Sequence, residues 1–165
     1  MESSTPIAYL VTLRTFGTWL HGDARGSHHR LHRTYGTPPL PGRPRWEAVE
    51  RLQARAPARL LDARSRAIVE RVASDVCAYH GWDMLAANAR TNHVHLVVAT
   101  GGAPEDLVRS LKSWLTRRLV EAGALPPKTR LWSRHASTVY LWTVRSRDQA
   151  VHYVVHGQDV EPSAI

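Results

Sequence analysis

The sequence predicts an α+β domain, an antiparallel sheet with helices packed on it, and three observations carry that reading. Strand-like and helix-like segments follow one another in the order β, loop, α, β, β, α, β, α, which suits hairpins and helical connections over one sheet. The chain has 165 residues, enough for a single domain over 1–165 with its own hydrophobic core. Hydrophobic residues at 43% and charged residues at 22% are the balance of an ordinary globular protein, which excludes a disordered tail.

Residues 7–14 are short, apolar and rich in β-formers, so they read as a buried strand. A basic stretch dense in Gly, Pro and His follows at about 15–45 and reads as a long loop, the kind that is either a functional grip or a flexible insertion. Residues 46–55 carry a brief helical pattern. Asp62 can cap a helix in which Ile68, Val72, Val76 and Tyr79 recur at helical spacing, and His80 and Gly81 end it. Residues 82–89 read as a strand, 90–92 as a tight turn and 93–99 as a second strand of strong β propensity. Pro104 opens a helix with an apolar stripe of Leu107, Leu111, Trp114, Leu115 and Leu119. Residues 137–142 are β-like. Ser146 and Gln149 have capping-box spacing, which starts a last helix that ends near Gly157.

One cysteine, Cys77, rules out a disulfide scaffold and is expected to be inert core. The apolar runs are short and broken by charge, and residues 1–6 lack the basic-then-apolar order of a secretory signal, so the expectation is a cytoplasmic protein with no membrane partner. Lys and Arg total 22 against 14 Asp and Glu, a net charge of +8, and all of the basic residues except Lys112 and Lys128 are arginines. A planar guanidinium matches phosphate oxygens and stacks on bases, so a polyanionic partner is one reading and an Arg-rich proteome the other. Candidate DNA contacts are Arg14, the outward face of the third helix with Arg109, Lys112, Arg117 and Arg118, and Trp19 and His21 in the loop. Trp132 and Trp142 are further candidates for stacking on unpaired bases, although tryptophan is more often core.

The most informative segment is Asn92-His93-Val94-His95. A strand sends alternate side chains to one face, so His93 and His95 stand side by side and can chelate one divalent ion, while Val94, Leu96 and Val98 bury themselves on the other. On the last helix, Ala150, Val151, Val154 and Val155 group on one side and Gln149, Tyr153 and His156 on the other. A free phenol has a pKa of about 10, so Tyr153 becomes a nucleophile only where a cation polarises its target.

Taken together, Asn92-His93-Val94-His95, Tyr153-Val154-Val155-His156-Gly157-Gln158 and the early stretch 16–23 resemble the single-tyrosine HUH transposases, closest to their REP-associated members. That resemblance implies a ferredoxin-like sheet, single-stranded or hairpin DNA as substrate, Mg²⁺ or Mn²⁺ on His93 and His95, and Tyr153 as the nucleophile of a 5′-phosphotyrosine intermediate. It allows a homodimer as well as a monomer. Many members place Gln or Asn one turn after the tyrosine, where this chain has Gly157, so the third ligand falls to Gln158 from the resemblance, or to His156 from helical geometry. The expected activity is metal-assisted cleavage and strand transfer. The alternatives are a non-catalytic protein that binds DNA hairpins and, last, a water-using phosphoesterase.

Overall fold

The computed structural model describes residues 5–18 and 58–157. The segment 46–55, most of the 15–45 loop with Trp19 and His21, and Gln158 therefore lie outside the described residues. The elements are β1 (Ala8–Arg14), α1 (Ala63–His80), β2 (Asp83–Ala89), β3 (His93–Ala99), α2 (Pro104–Glu121), β4 (Ser137–Leu141) and α3 (Val144–His156). The strands form one four-stranded sheet in the order β2-β3-β1-β4, with every neighbouring pair antiparallel. Two β-α-β crossovers interlock in that order, the ferredoxin-like arrangement, and α3 is appended to it. Among the described residues, no helix is long and apolar enough to cross a membrane.

Alternation along the two central strands divides the core. Tyr9, Val11 and Leu13 of β1 and Val94, Leu96 and Val98 of β3 point to one face, where α1 brings Val69, Val72, Ala73, Val76 and Cys77 and α2 brings Leu107, Leu111, Leu115 and Leu119. Ala8 and Leu10 of β1, Ala86, Val97 and Leu141 point to the other, where α3 covers them with Ala150 and Val154. The sheet is thus a wall between a large core and a small one, and the histidine side of β3 belongs to the small one.

Local chemistry accounts for the helix ends. Asp62 accepts a hydrogen bond from the Ser65 amide at 2.7 Å, and Gly81 takes the left-handed conformation (φ 68°) that closes α1. The helical spacing put Tyr79 in the α1 stripe, but it is 81% exposed, because the buried side drifts to Val69, Ala73 and Cys77. The last helix also starts earlier than Ser146: Thr143 is its N-cap, and Ser146 is the third residue of a capping box whose side chain reaches back to the Thr143 amide.

Candidate active site

His93 and His95 project from β3 onto the α3 side of the sheet, and their ring centroids lie 4.6 Å apart. Tyr153, on the last full turn of α3, stands against His95 with ring centroids 5.7 Å apart, and it is 40% exposed. Strand alternation supplies the pair, and α3, seated on the sheet by Ala150 and Val154, brings the phenol to it. Tyr153 is therefore beside the histidines and open to a ligand from solvent.

Each imidazole is held at Nδ1. The Asn92 Oδ1 carbonyl accepts from His93 Nδ1 at 2.7 Å, which leaves the ring's lone pair on Nε2. His95 Nδ1 lies 2.8 Å from the Thr12 hydroxyl, directly across the β1–β3 pairing, where Nδ1–H can donate and again direct the lone pair to Nε2. Asn92 is itself fixed, since its backbone carbonyl accepts from both the amide and the hydroxyl of the fully buried Thr15 at 2.9 Å. Burial pushes the His95 pKa down to about 3, helped by the positive fields of His93, Arg14 and Arg90, so the ring is neutral at physiological pH.

This donor set fits a divalent cation in part. Two adjacent imidazoles, each hydrogen-bonded at Nδ1, are what a metal site asks of its histidines, and borderline ions such as Zn²⁺ or Ni²⁺ would compete there with Mg²⁺ or Mn²⁺. Among the described residues no group of three or more His, Cys, Asp or Glu converges. His156 is exposed and its ring pairs with His152 at 4.9 Å, and Gln158 lies outside the described residues.

At the position one turn after the tyrosine, Gly157 has an ordinary helical backbone (φ −89°) that any residue adopts. A Cβ there would come 2.9 Å from Cδ2 of Tyr153. The glycine is thus a matter of room for the ring rather than of backbone freedom. Asn88 closes the same corner: it lies across from His95 on β2, and its Nδ2 donates to the Val154 carbonyl at 3.1 Å, satisfying an acceptor of the last α3 turn.

The basic candidates separate. Arg14 is in register with His93 on the same face, and Arg90, which sequence reasoning left in a turn, flanks His93 from the β2 side, where its amide donates to the His93 carbonyl. Arg109, Lys112, Arg117 and Arg118 ride on α2, behind the opposite face of the sheet from the histidines. Lys112 departs from the expected outward face: its ammonium donates inward to the Ser133 carbonyl at 2.8 Å and the Arg134 carbonyl at 3.3 Å, and desolvation, then Arg130, lowers its pKa. Arg109 pairs with Asp106, Arg118 with Glu121, and Arg117 and Arg118 lie over the half-buried Trp114. Trp132 is a core residue whose indole N–H donates to the Lys112 carbonyl and the Thr116 hydroxyl, which removes it from base stacking. Trp142 is 51% exposed and stacks on Tyr140. Cys77 is buried, and desolvation pushes its thiol up to about 11.

No family model and no curated protein matches the chain. Among solved structures it is similar to a REP-associated tyrosine transposase bound to a REP hairpin, at 11% identity and a TM-score of 0.47 over 91% of this chain and 65% of that one. It is also similar to a proposed transposase of Deinococcus radiodurans, at 13% identity and a TM-score of 0.48 over 98% of this chain and 97% of that one. The likeness in both cases is one of fold.

Proposed function

We propose that this protein cuts and rejoins single-stranded DNA through a covalent bond to Tyr153. The observation that carries the reading is the contact of Tyr153 with His95, and of His95 with His93, on the α3 side of the sheet. An exposed phenol beside two imidazoles, each hydrogen-bonded at Nδ1, is a nucleophile next to a place for a phosphodiester. His93 and His95 would hold a Mg²⁺ or Mn²⁺ ion, which when bound supplies Lewis-acid polarisation of the scissile phosphate. Gln158 is the residue we assign as third ligand, with His156 the substitute.

The chain's own groups then do the following. Arg14 orients the phosphodiester beside the histidines, and Tyr153 Oη attacks phosphorus as its proton passes to solvent. The P–O3′ bond breaks, the 3′-hydroxyl leaves with a proton, and the 5′-phosphate remains esterified to Tyr153. Because one phosphodiester replaces another, a second 3′-hydroxyl can reverse the step and join new strands without a nucleotide cofactor.

The test is incubation of the protein with single-stranded DNA hairpins and Mn²⁺, followed by a denaturing gel. A protein–DNA adduct is expected from the wild type and from neither Tyr153→Phe nor His93→Ala. An adduct that persists in Tyr153→Phe sinks the mechanism, and hairpin binding with no adduct under any metal would make the chain a non-catalytic DNA-binding protein.

A further inference from the structure

We propose that α3 carries a metal site of its own, in which His152 and His156 take a transition ion such as Zn²⁺, Ni²⁺ or Cu²⁺ and clamp the helical turn that holds Tyr153. The site uses no residue of β3 and does not depend on the chemistry proposed for Tyr153. Side chains four residues apart on a helix lie one above the other on one face. Both imidazoles are exposed, with ring centroids 4.9 Å apart and a tilt of 50° between their planes. A zinc–nitrogen bond is about 2.0–2.1 Å long, which puts an imidazole centroid about 3.2 Å from the ion; at ligand angles from about 90° to tetrahedral, two such centroids are about 4.5–5.2 Å apart. The observed spacing falls inside that range, so the two rings can bracket one ion with little rearrangement.

The donors select the ion. Imidazole nitrogen suits zinc, nickel and copper, whereas Mg²⁺ asks for oxygen. Asp148, one turn before His152, is bound by Arg147 through Nε at 2.9 Å and through an Nη at 2.8 Å. Among the described residues no group of three His, Cys, Asp or Glu converges, so water completes the coordination. Two protein ligands with open positions suit an exchangeable ion rather than a permanent structural one.

The consequence lies in what the pair brackets. Tyr153 belongs to the turn between His152 and His156, and the Gly157 amide donates to its carbonyl. The spacing of the two histidines exists only while that turn is helical. α3 has 13 residues, a length that is marginal for an isolated helix in water, so leaving the sheet unwinds it and separates the ligands. An ion that binds only the wound turn therefore opposes the opening, by the linkage of a ligand to the state that binds it.

The experiment is hydrogen exchange of the full chain, read by mass spectrometry on the amides of 150–157, with and without Zn²⁺. A local readout is required because the chain has 10 histidines, any of which can meet zinc. At zinc about ten times its dissociation constant the open population should fall roughly tenfold, and exchange of these amides with it. The slowing is expected in the wild type and in His93→Ala, and it should vanish in His152→Ala. His152 is exposed, so its replacement leaves the core intact. Because alanine itself favours helix, each variant is compared with its own metal-free state. His152→Cys puts another zinc ligand at the same place and should restore the effect. Mg²⁺ at the same concentration should leave exchange unchanged, and an equal effect of Mg²⁺ would sink the site. Exchange indifferent to zinc, or a slowing that survives His152→Ala, overturns the proposal. A slowing lost in His93→Ala overturns it as well, since the ion would then act from β3.

Discussion

Thr12 is the residue on which the orientation of His95 turns. Its hydroxyl is the partner of Nδ1 at 2.8 Å, and the ring lies where burial already denies it a second proton. Replacing Thr12 with Val keeps the shape and removes the oxygen, so the imidazole is free to rotate or to take the other tautomer. Loss of such outer partners commonly costs 10–100-fold in metal affinity, and Thr12→Val should weaken Mn²⁺ binding by roughly tenfold or more in calorimetry with DNA present. The low pKa of His95 has its own consequence for stability. The unfolded chain takes up a proton at this ring near pH 6.5 and the folded chain only near pH 3, so the unfolded state binds more protons between those values. Metal-free protein should therefore lose stability as pH falls from about 6.5 towards 3. Denaturant midpoints measured across that range should fall less steeply for His95→Gln than for the wild type, and parallel curves would refute the assignment.

At the scale of elements, α3 is where small features decide whether Tyr153 meets the histidines. Gly157→Ala adds a methyl that would lie 2.9 Å from the tyrosine ring, in a backbone conformation that alanine favours over glycine. The two effects oppose one another: the helix end should be no less stable, yet the ring must turn away from His95. The expected outcome is a several-fold drop in adduct yield with a thermal midpoint within a few degrees of the wild type; unchanged yield would show that the ring has room elsewhere. Thr143→Ala removes both the N-cap and its capping box, and about 1 kcal/mol of stability should go with them, read as a shift of the denaturant midpoint at constant slope. How much of this was legible in the sequence follows from periodicity. Residues 93–99 alternate without interruption, so the histidine face could be read directly, and the Tyr153 side of α3 likewise. Asn88 could not be found that way. Strict alternation from Met84, which packs on the α1 side, would send Asn88 to that side as well; the irregularity between Met84 and Ala86 turns the rest of β2 over and delivers Asn88 to His95. Arg90 was hidden for the related reason that its place depends on the hairpin register.

For the whole molecule, the sheet separates charge as well as core. Composition gave a surplus of arginine but no address for it, and only the three-dimensional arrangement assigns Arg14 and Arg90 to the histidine face while sending the α2 arginines behind the sheet. Partners such as Asp106 and Glu121 further reduce what the α2 residues can offer, even though exposed pairs of this kind contribute little to stability. Changing Arg109, Arg117 and Arg118 together to Gln should therefore cost less affinity for a hairpin, in filter binding at fixed salt, than the single change Arg14→Gln. The division of the core into a large and a small half carries further. α2 is anchored by four leucines, whereas α3 buries only Ala150 and Val154. Burying a single valine is worth about 2 kcal/mol, so the hold of the sheet on α3 is slight, and the Asn88 bond to the Val154 carbonyl adds to it only at the last turn. Backbone amides of α3 should accordingly exchange with deuterium well before those of α1 and α2, through openings that leave the rest of the domain folded. The segment bearing Tyr153 would then be the first cooperative unit to let go of the sheet.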